Sequence, residues 1–160
     1  MTTRLTHDLT YDAPLADVAA MLADPGYRDE VCVRTGTTRH DVRVEGAGAG
    51  MHVRIDQVQA AHGIPAVAKR FVGEELRYVQ VEEWGAVDHA RVTVSIPGKP
   101  GEMEGTIDLT EAGGVTTESV AMEIRVGVPL VGGKIESLVA DSLRAALRIE
   151  NQVGRDYLSR

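Results

Sequence analysis

The stretch VPLVGGKIESLVADSLRAALRIENQV, which begins at Val128, constrains the fold more than any other part of the chain. Along it and just beyond, Ile135, Leu138, Val139, Leu143, Ala146, Leu147, Val153 and Tyr157 recur at helical spacing and form a wide apolar stripe. A helix of about 27 residues spans roughly 40 Å at 1.5 Å per residue. That is enough to cross a whole sheet, so the rest of the chain must supply something broad for the stripe to lie on. Pro129, Gly132 and Gly133 precede the helix. Glycines before a helix can hold a phosphate on backbone N–H groups. The phosphate-binding loop, however, needs Lys followed by Ser or Thr, and here Lys134 is followed by Ile135. The glycines therefore read as a corner that sets the angle at which the helix leaves the last strand.

The broad partner is legible as a series of period-two segments. In TRLTHDLTY, Leu5, His7, Leu9 and Tyr11 share one side. The next stretch, DAPLADVAAMLADPGYRDEVCVRTG, reads as two short helices, with Pro14 and Pro25 at first helical positions and Asp12 and Asp24 as caps. Two alternating runs then flank GAGAG, Gly46 to Gly50, and predict a β-hairpin. The same GAGAG is no dinucleotide fingerprint, because a strand follows it rather than a helix. AAHGIPAVAKRFVG predicts one or two turns of helix after Pro65. EELRYVQVEEW, HARVTVSIPG, GEMEGTIDLTE and VTTESVAMEIRV are four further strands. Short turns between consecutive strands imply an antiparallel sheet. The fold class is α+β: a seven-stranded antiparallel sheet wrapped around the long C-terminal helix, with two short helices after the first strand.

Composition bounds the partners. The 160 residues suit one domain, covering 1–160, and the net charge of -7 comes without a cluster of Lys or Arg. Such a chain is a poor match for nucleic acid, whose affinity rests on phosphate neutralisation. No apolar run is long enough to predict an integral membrane segment. The start of the chain has no apolar signal core, so a cytoplasmic location is expected. Cys32 is the only cysteine, excludes an internal disulfide, and reads as a structural thiol. No pair of His or Cys has zinc-site spacing, so no metal and no cofactor are expected. Oligomeric state is left open.

The element order, the segment VPLVGGKIESLVADSL and the strand EELRYVQVEEW resemble the START-like, helix-grip superfamily, also called Bet v 1-like or polyketide cyclase-like. Within it the chain is most similar to the actinobacterial DUF2505 family. The resemblance covers Arg4 to Leu158, with Pro129, Gly132, Gly133 and Glu136 as its most specific positions. The 14 Arg against 3 Lys fit a GC-rich genome. The resemblance implies an apolar cavity between sheet and helix that takes a lipid-like or polycyclic ligand. It does not name the ligand or an activity, since fold alone does not.

The candidate site follows from polar residues on inward faces. Burying a polar group costs free energy unless it is hydrogen-bonded. His7, His40, Tyr78, Gln80, Glu82 and Trp84 all project toward the helix side if the strand phases hold. They suit the wall of a pocket that is apolar overall with a few placed donors and acceptors. The competing reading is an edge strand, or a reversed phase with Val79 and Val81 inside. Met122 of the last strand and Leu138 and Ser142 of the helix complete the expected wall. The first function expected is binding of a small hydrophobic molecule, with no catalytic residue assigned. The first alternative is a cyclase- or dehydratase-like enzyme in which His7, His40 or Glu82 moves a proton. The second is an interaction module that docks a partner on the outer sheet face.

Overall fold

The computed structural model describes residues 2–60, 66, 69–70 and 73–160. Strand β1 (Thr3–Tyr11) leads into helices α1 (Leu15–Leu22) and α2 (Pro25–Arg34). Strands β2 (Arg39–Glu45), β3 (His52–Ala60), β4 (Glu75–Ala86), β5 (His89–Ser95), β6 (Gly101–Ala112) and β7 (Val115–Val126) follow, and helix α3 (Gly132–Leu158) ends the chain. The turn or two of helix expected after Pro65 lies largely outside the described residues.

The seven strands form one sheet in the order β1-β7-β6-β5-β4-β3-β2, with every neighbouring pair antiparallel. Strands β2 to β7 are a meander, each pairing with the next in chain order. β1 is set apart from it. The α1–α2 pair carries the chain away from β1, so that β1 pairs with β7 and β2 becomes the far edge. The hairpin tip at GAGAG turns through left-handed backbone at Gly46, Gly48 and Gly50, φ 78°, 61° and 84°, which glycine adopts without a side-chain clash.

The inner face of the sheet carries the core. Leu5, Leu9 and Tyr11 of β1, Val53 and Ile55 of β3, Ala90, Val92 and Val94 of β5, and Val120, Met122 and Ile124 of β7 are all buried. The phase expected for β4 holds, with Leu76, Glu82 and Trp84 buried on this side. Val79 is buried as well, on the opposite face of the same strand.

Two contacts fix how α3 grips the sheet. At its start, Leu130 takes a left-handed φ of 71° to make the corner, and Gly132 then comes so close to β7 that a β-carbon there would stand 2.5 Å from the Val126 carbonyl oxygen. Near its end, Gly154 lies on the ring of Tyr11, and a β-carbon there would stand 2.5 Å from a ring carbon. Glu136, fully buried one turn into the helix, accepts from Val126 N–H at 3.0 Å and from the Thr3 hydroxyl at 2.8 Å. It joins the last strand and the first to the helix. Helix α2 is capped as the sequence predicts, with Pro25 first and Asp24 accepting from Gly26 N–H at 2.8 Å. Helix α1 differs. Pro14 itself is the N-cap in extended backbone, and Asp12 gives no cap. The Leu15 N–H donates instead to Glu111 on β6, at 2.5 Å.

Candidate functional site

Between the inner face of the sheet and the first half of α3 lies a partly open hollow of about 180 Å³. Its sheet wall is Gln57 and Gln59 of β3, Leu76, Tyr78 and Gln80 of β4, Val94 and Ile96 at the end of β5, and Met103 of β6. Its helix wall is Ile135, Leu138, Val139, Ser142, Leu143 and Ala146. Apart from Ser142, the helix side chains are those of the apolar stripe, which recur at three- and four-residue steps on one face. The lining on β4 stops at Gln80, which pairs with Ile55 on one side and Val94 on the other.

Beyond Gln80 the interior is closed by a buried ionic cluster. Arg28 of α2 and Glu82 of β4 form a bidentate pair, with Nη1 to Oε2 at 2.7 Å and Nη2 to Oε1 at 2.9 Å. Both side chains are nearly inaccessible, at 4% and 1%. Arg28 Nε also donates to the Leu22 carbonyl at 2.9 Å. Gln80 Nε2 donates to Glu82 Oε2 at 2.7 Å, and Trp84 Nε1 donates to Oε1 at 3.0 Å. Burial alone would push the Glu82 carboxyl up, but the Arg28 guanidinium and the hydrogen bonds outweigh it and hold it below the usual carboxylate range. Glu82 is therefore an ionised anchor with four donors on its two oxygens.

A second polar group stands beside that pair. Glu118 of β7 is buried, and burial together with the neighbouring Glu150 raises its carboxyl well above the ordinary range. Glu150 of α3 is half-buried, and burial and Glu82 push it up to about 7 against the pull of Arg28. Glu118 Oε2 and the hydroxyls of Tyr11 and Tyr27 have no hydrogen-bond partner among the described residues.

Of the residues expected at the site, Tyr78, Gln80, Leu138 and Ser142 line the hollow together. Glu82 and Trp84 lie behind its inner end, in the ionic cluster. Met122 is a core residue that does not line it. His7 and His40 are on the two edge strands, β1 and β2, with five strands between them. His40 reaches out to α2, with Nε2 3.2 Å from Asp29 and Nδ1 3.4 Å from the Thr37 hydroxyl. Cys32 is a buried free thiol that burial, aided by Asp29, pushes up to about 11. Sequence reading missed Arg28. The signal available was an inward Glu82, which needs a cation, and an Arg one helical turn before the buried Cys32.

A seven-stranded antiparallel sheet curled on a long terminal helix, with a hollow between them, is the helix-grip fold of START-like proteins. Solved structures agree. The protein TTHA0849 from Thermus thermophilus matches with a TM-score of 0.66 at 16% identity, over 95% of this chain and 97% of its own. Norcoclaurine synthase from Thalictrum flavum matches at 0.64 and 15%, over 100% and 88%. A START superfamily protein from Mycobacterium smegmatis matches at 0.62 and 10%, over 97% and 98%. At these identities the likeness is one of fold. The chain belongs to the DUF2505 family, described as a protein of unknown function, whose profile matches residues 6–158. Among curated relatives, the uncharacterized protein Rv0481c of Mycobacterium tuberculosis is 29% identical over 103 residues. The match spans 60% of this chain and 59% of the relative's length. No helix among the described residues is long and apolar enough to cross a membrane.

Proposed function

We propose that the protein binds a small, largely apolar molecule in the hollow between the sheet and α3, as a carrier or sensor. The observation that supports this reading is the chemistry of the lining: it is mostly aliphatic, with Tyr78, Gln80, Gln57 and Gln59 on the β3–β4 wall, Ser142 on the helix, and Lys99 between β5 and β6. That is the pattern of small-molecule sites, which are mostly apolar with a few placed polar groups. A cavity of about 150 Å³ holds benzene, so a hollow of this size suits one or two rings, with the remainder of a longer ligand leaving by the open side. The proton-transfer alternative has less support, because neither His7 nor His40 lines the hollow and Glu82 is already fully engaged.

Filling the hollow tests the reading. Titration with anilinonaphthalene sulfonate is expected to saturate in the micromolar range, the scale set by burial of a small apolar surface. Ala146→Phe, which projects a ring into the hollow, is expected to weaken that binding at least about tenfold with the unfolding midpoint kept. Equal binding by both proteins means that the dye sits elsewhere, and the assignment of the hollow fails.

A further inference from the structure

The inner end of the hollow is chemically one-sided. An ionised carboxylate only accepts hydrogen bonds, with roughly four lone-pair sites on its two oxygens. Glu82 receives four donors: both Nη atoms of Arg28, Trp84 Nε1 and Gln80 Nε2. Gln80 can therefore meet Glu82 only with its NH₂ group, and its amide cannot flip without setting a carbonyl oxygen against a carboxylate. The Gln80 Oε1 atom has no partner among the described residues, and Gln80 is the last residue of β4 on the hollow's wall.

We infer that Gln80 is the specificity-determining residue of this site: it presents a fixed acceptor, so the ligand class is a mostly apolar molecule bearing a hydrogen-bond donor, a phenol or an alcohol, at its inner end. The inference rests on the reading of the hollow as a ligand site. Arg28 and Glu82 are positioning residues, since they touch no ligand and act by holding the Gln80 amide. The buried pair thus has a role besides stability. Without it the amide could rotate, and the wall would accept donors and acceptors alike.

The test uses two probes with one apolar body, 4-propylphenol and its methyl ether, titrated by calorimetry into the wild type, Gln80→Leu, Tyr78→Phe and Ala146→Phe. The wild type is expected to prefer the phenol by about tenfold, the scale of one net hydrogen bond. Gln80→Leu is expected to abolish that preference while retaining the ether. Tyr78→Phe, which removes the phenolic hydroxyl two residues before Gln80 on the same wall, is expected to keep the preference. The doubly apolar Arg28→Met/Glu82→Leu variant, which keeps the core filled, is expected to reduce it with Gln80 still present. Equal binding of phenol and ether by the wild type, with both lost in Ala146→Phe, overturns the fixed acceptor and leaves the hollow as a binding site. A phenol preference that survives Gln80→Leu overturns the assignment to Gln80. No binding of either probe to the wild type overturns both the inference and the reading beneath it.

Discussion

Gly132 stands so near Val126 that a β-carbon there would sit 2.5 Å from a backbone oxygen, so any other residue forces the start of the helix to shift. Backbone on both sides leaves little room to yield. Replacing Gly by Ala in a helix normally gains up to about 1 kcal/mol. Here the overlap is expected to outweigh that gain, and Gly132→Ala should lose about 1–3 kcal/mol, the usual cost of overpacking. Urea unfolding measures it. A variant as stable as the wild type would mean that the corner does not clamp the helix. The same corner shows what the glycine pair at the start of the helix is for: the tight approach of Gly132 brings Glu136 to Val126 N–H and the Thr3 hydroxyl.

The Arg28–Glu82 pair makes a second prediction, about stability rather than ligand choice. Removing one partner leaves an uncompensated charge in a closed interior, which typically costs 3–5 kcal/mol. Arg28→Met alone is therefore expected to lose about that much. Arg28→Met with Glu82→Leu should recover most of it, because an apolar pair of similar volume is often neutral or better. Chemical denaturation of the two variants decides. If the double variant is no more stable than the single one, the lost stability comes from packing and not from the buried charge.

How far the site was legible follows from these residues. Period-two alternation located the inner face of β4, and with it Tyr78, Gln80, Glu82 and Trp84. It could not divide them, because the boundary between hollow and closed core is set by Arg28, 54 residues earlier in the chain. Arg28 looks like one more surface charge on a short, mostly polar helix. The separation of the histidines was illegible for a different reason. His7 and His40 both face inward by alternation, but the distance between them depends on strand order. Chain order does not reveal that β1 joins β7 and leaves β2 at the far edge. The helix stripe and the strand phases are local patterns and could be read directly. The expected cap at Asp12 was lost to a tertiary contact, the bond from Leu15 N–H to Glu111.

Trp84 is the only tryptophan and is 3% exposed, with its indole N–H on Glu82. It is expected to resist quenching by iodide in the folded protein and to become accessible on unfolding. It does not line the hollow, so a ligand reaches it only through Gln80 and Glu82. Gln80→Leu is expected to shift its emission by changing the field at Glu82, and to remove any ligand-induced shift. Iodide quenching close to that of the unfolded chain would contradict the burial.

The cluster around Glu118 predicts an unusual pH dependence. Glu118 on β7 and Glu150 on α3 face Tyr11 of β1, Tyr27 and Arg28 of α2, and Glu82 of β4. Burial raises both carboxyls, helped at Glu118 by the neighbouring Glu150 and at Glu150, which moves from 4.5 to about 7, by Glu82; neighbouring carboxyls of this kind titrate as a pair. The folded protein therefore holds more protons than the unfolded chain between about pH 4.5 and 7. Stability must fall as pH rises through that window. Glu82 works in the opposite sense, but its carboxyl is held low, so its contribution is lost only in acid below the same window. Both carboxyls contribute in the same sense, so the melting temperature is expected to be lower at pH 8 than at pH 5. Glu150→Gln and Glu118→Gln should each flatten the curve, because the amide stays neutral throughout. Melting temperatures of the three proteins across pH 5–8 test this. A wild-type Tm that is level or rises toward pH 8 would mean that the two carboxyls are ionised in the folded protein, with Arg28 compensating more charge than the geometry allows it.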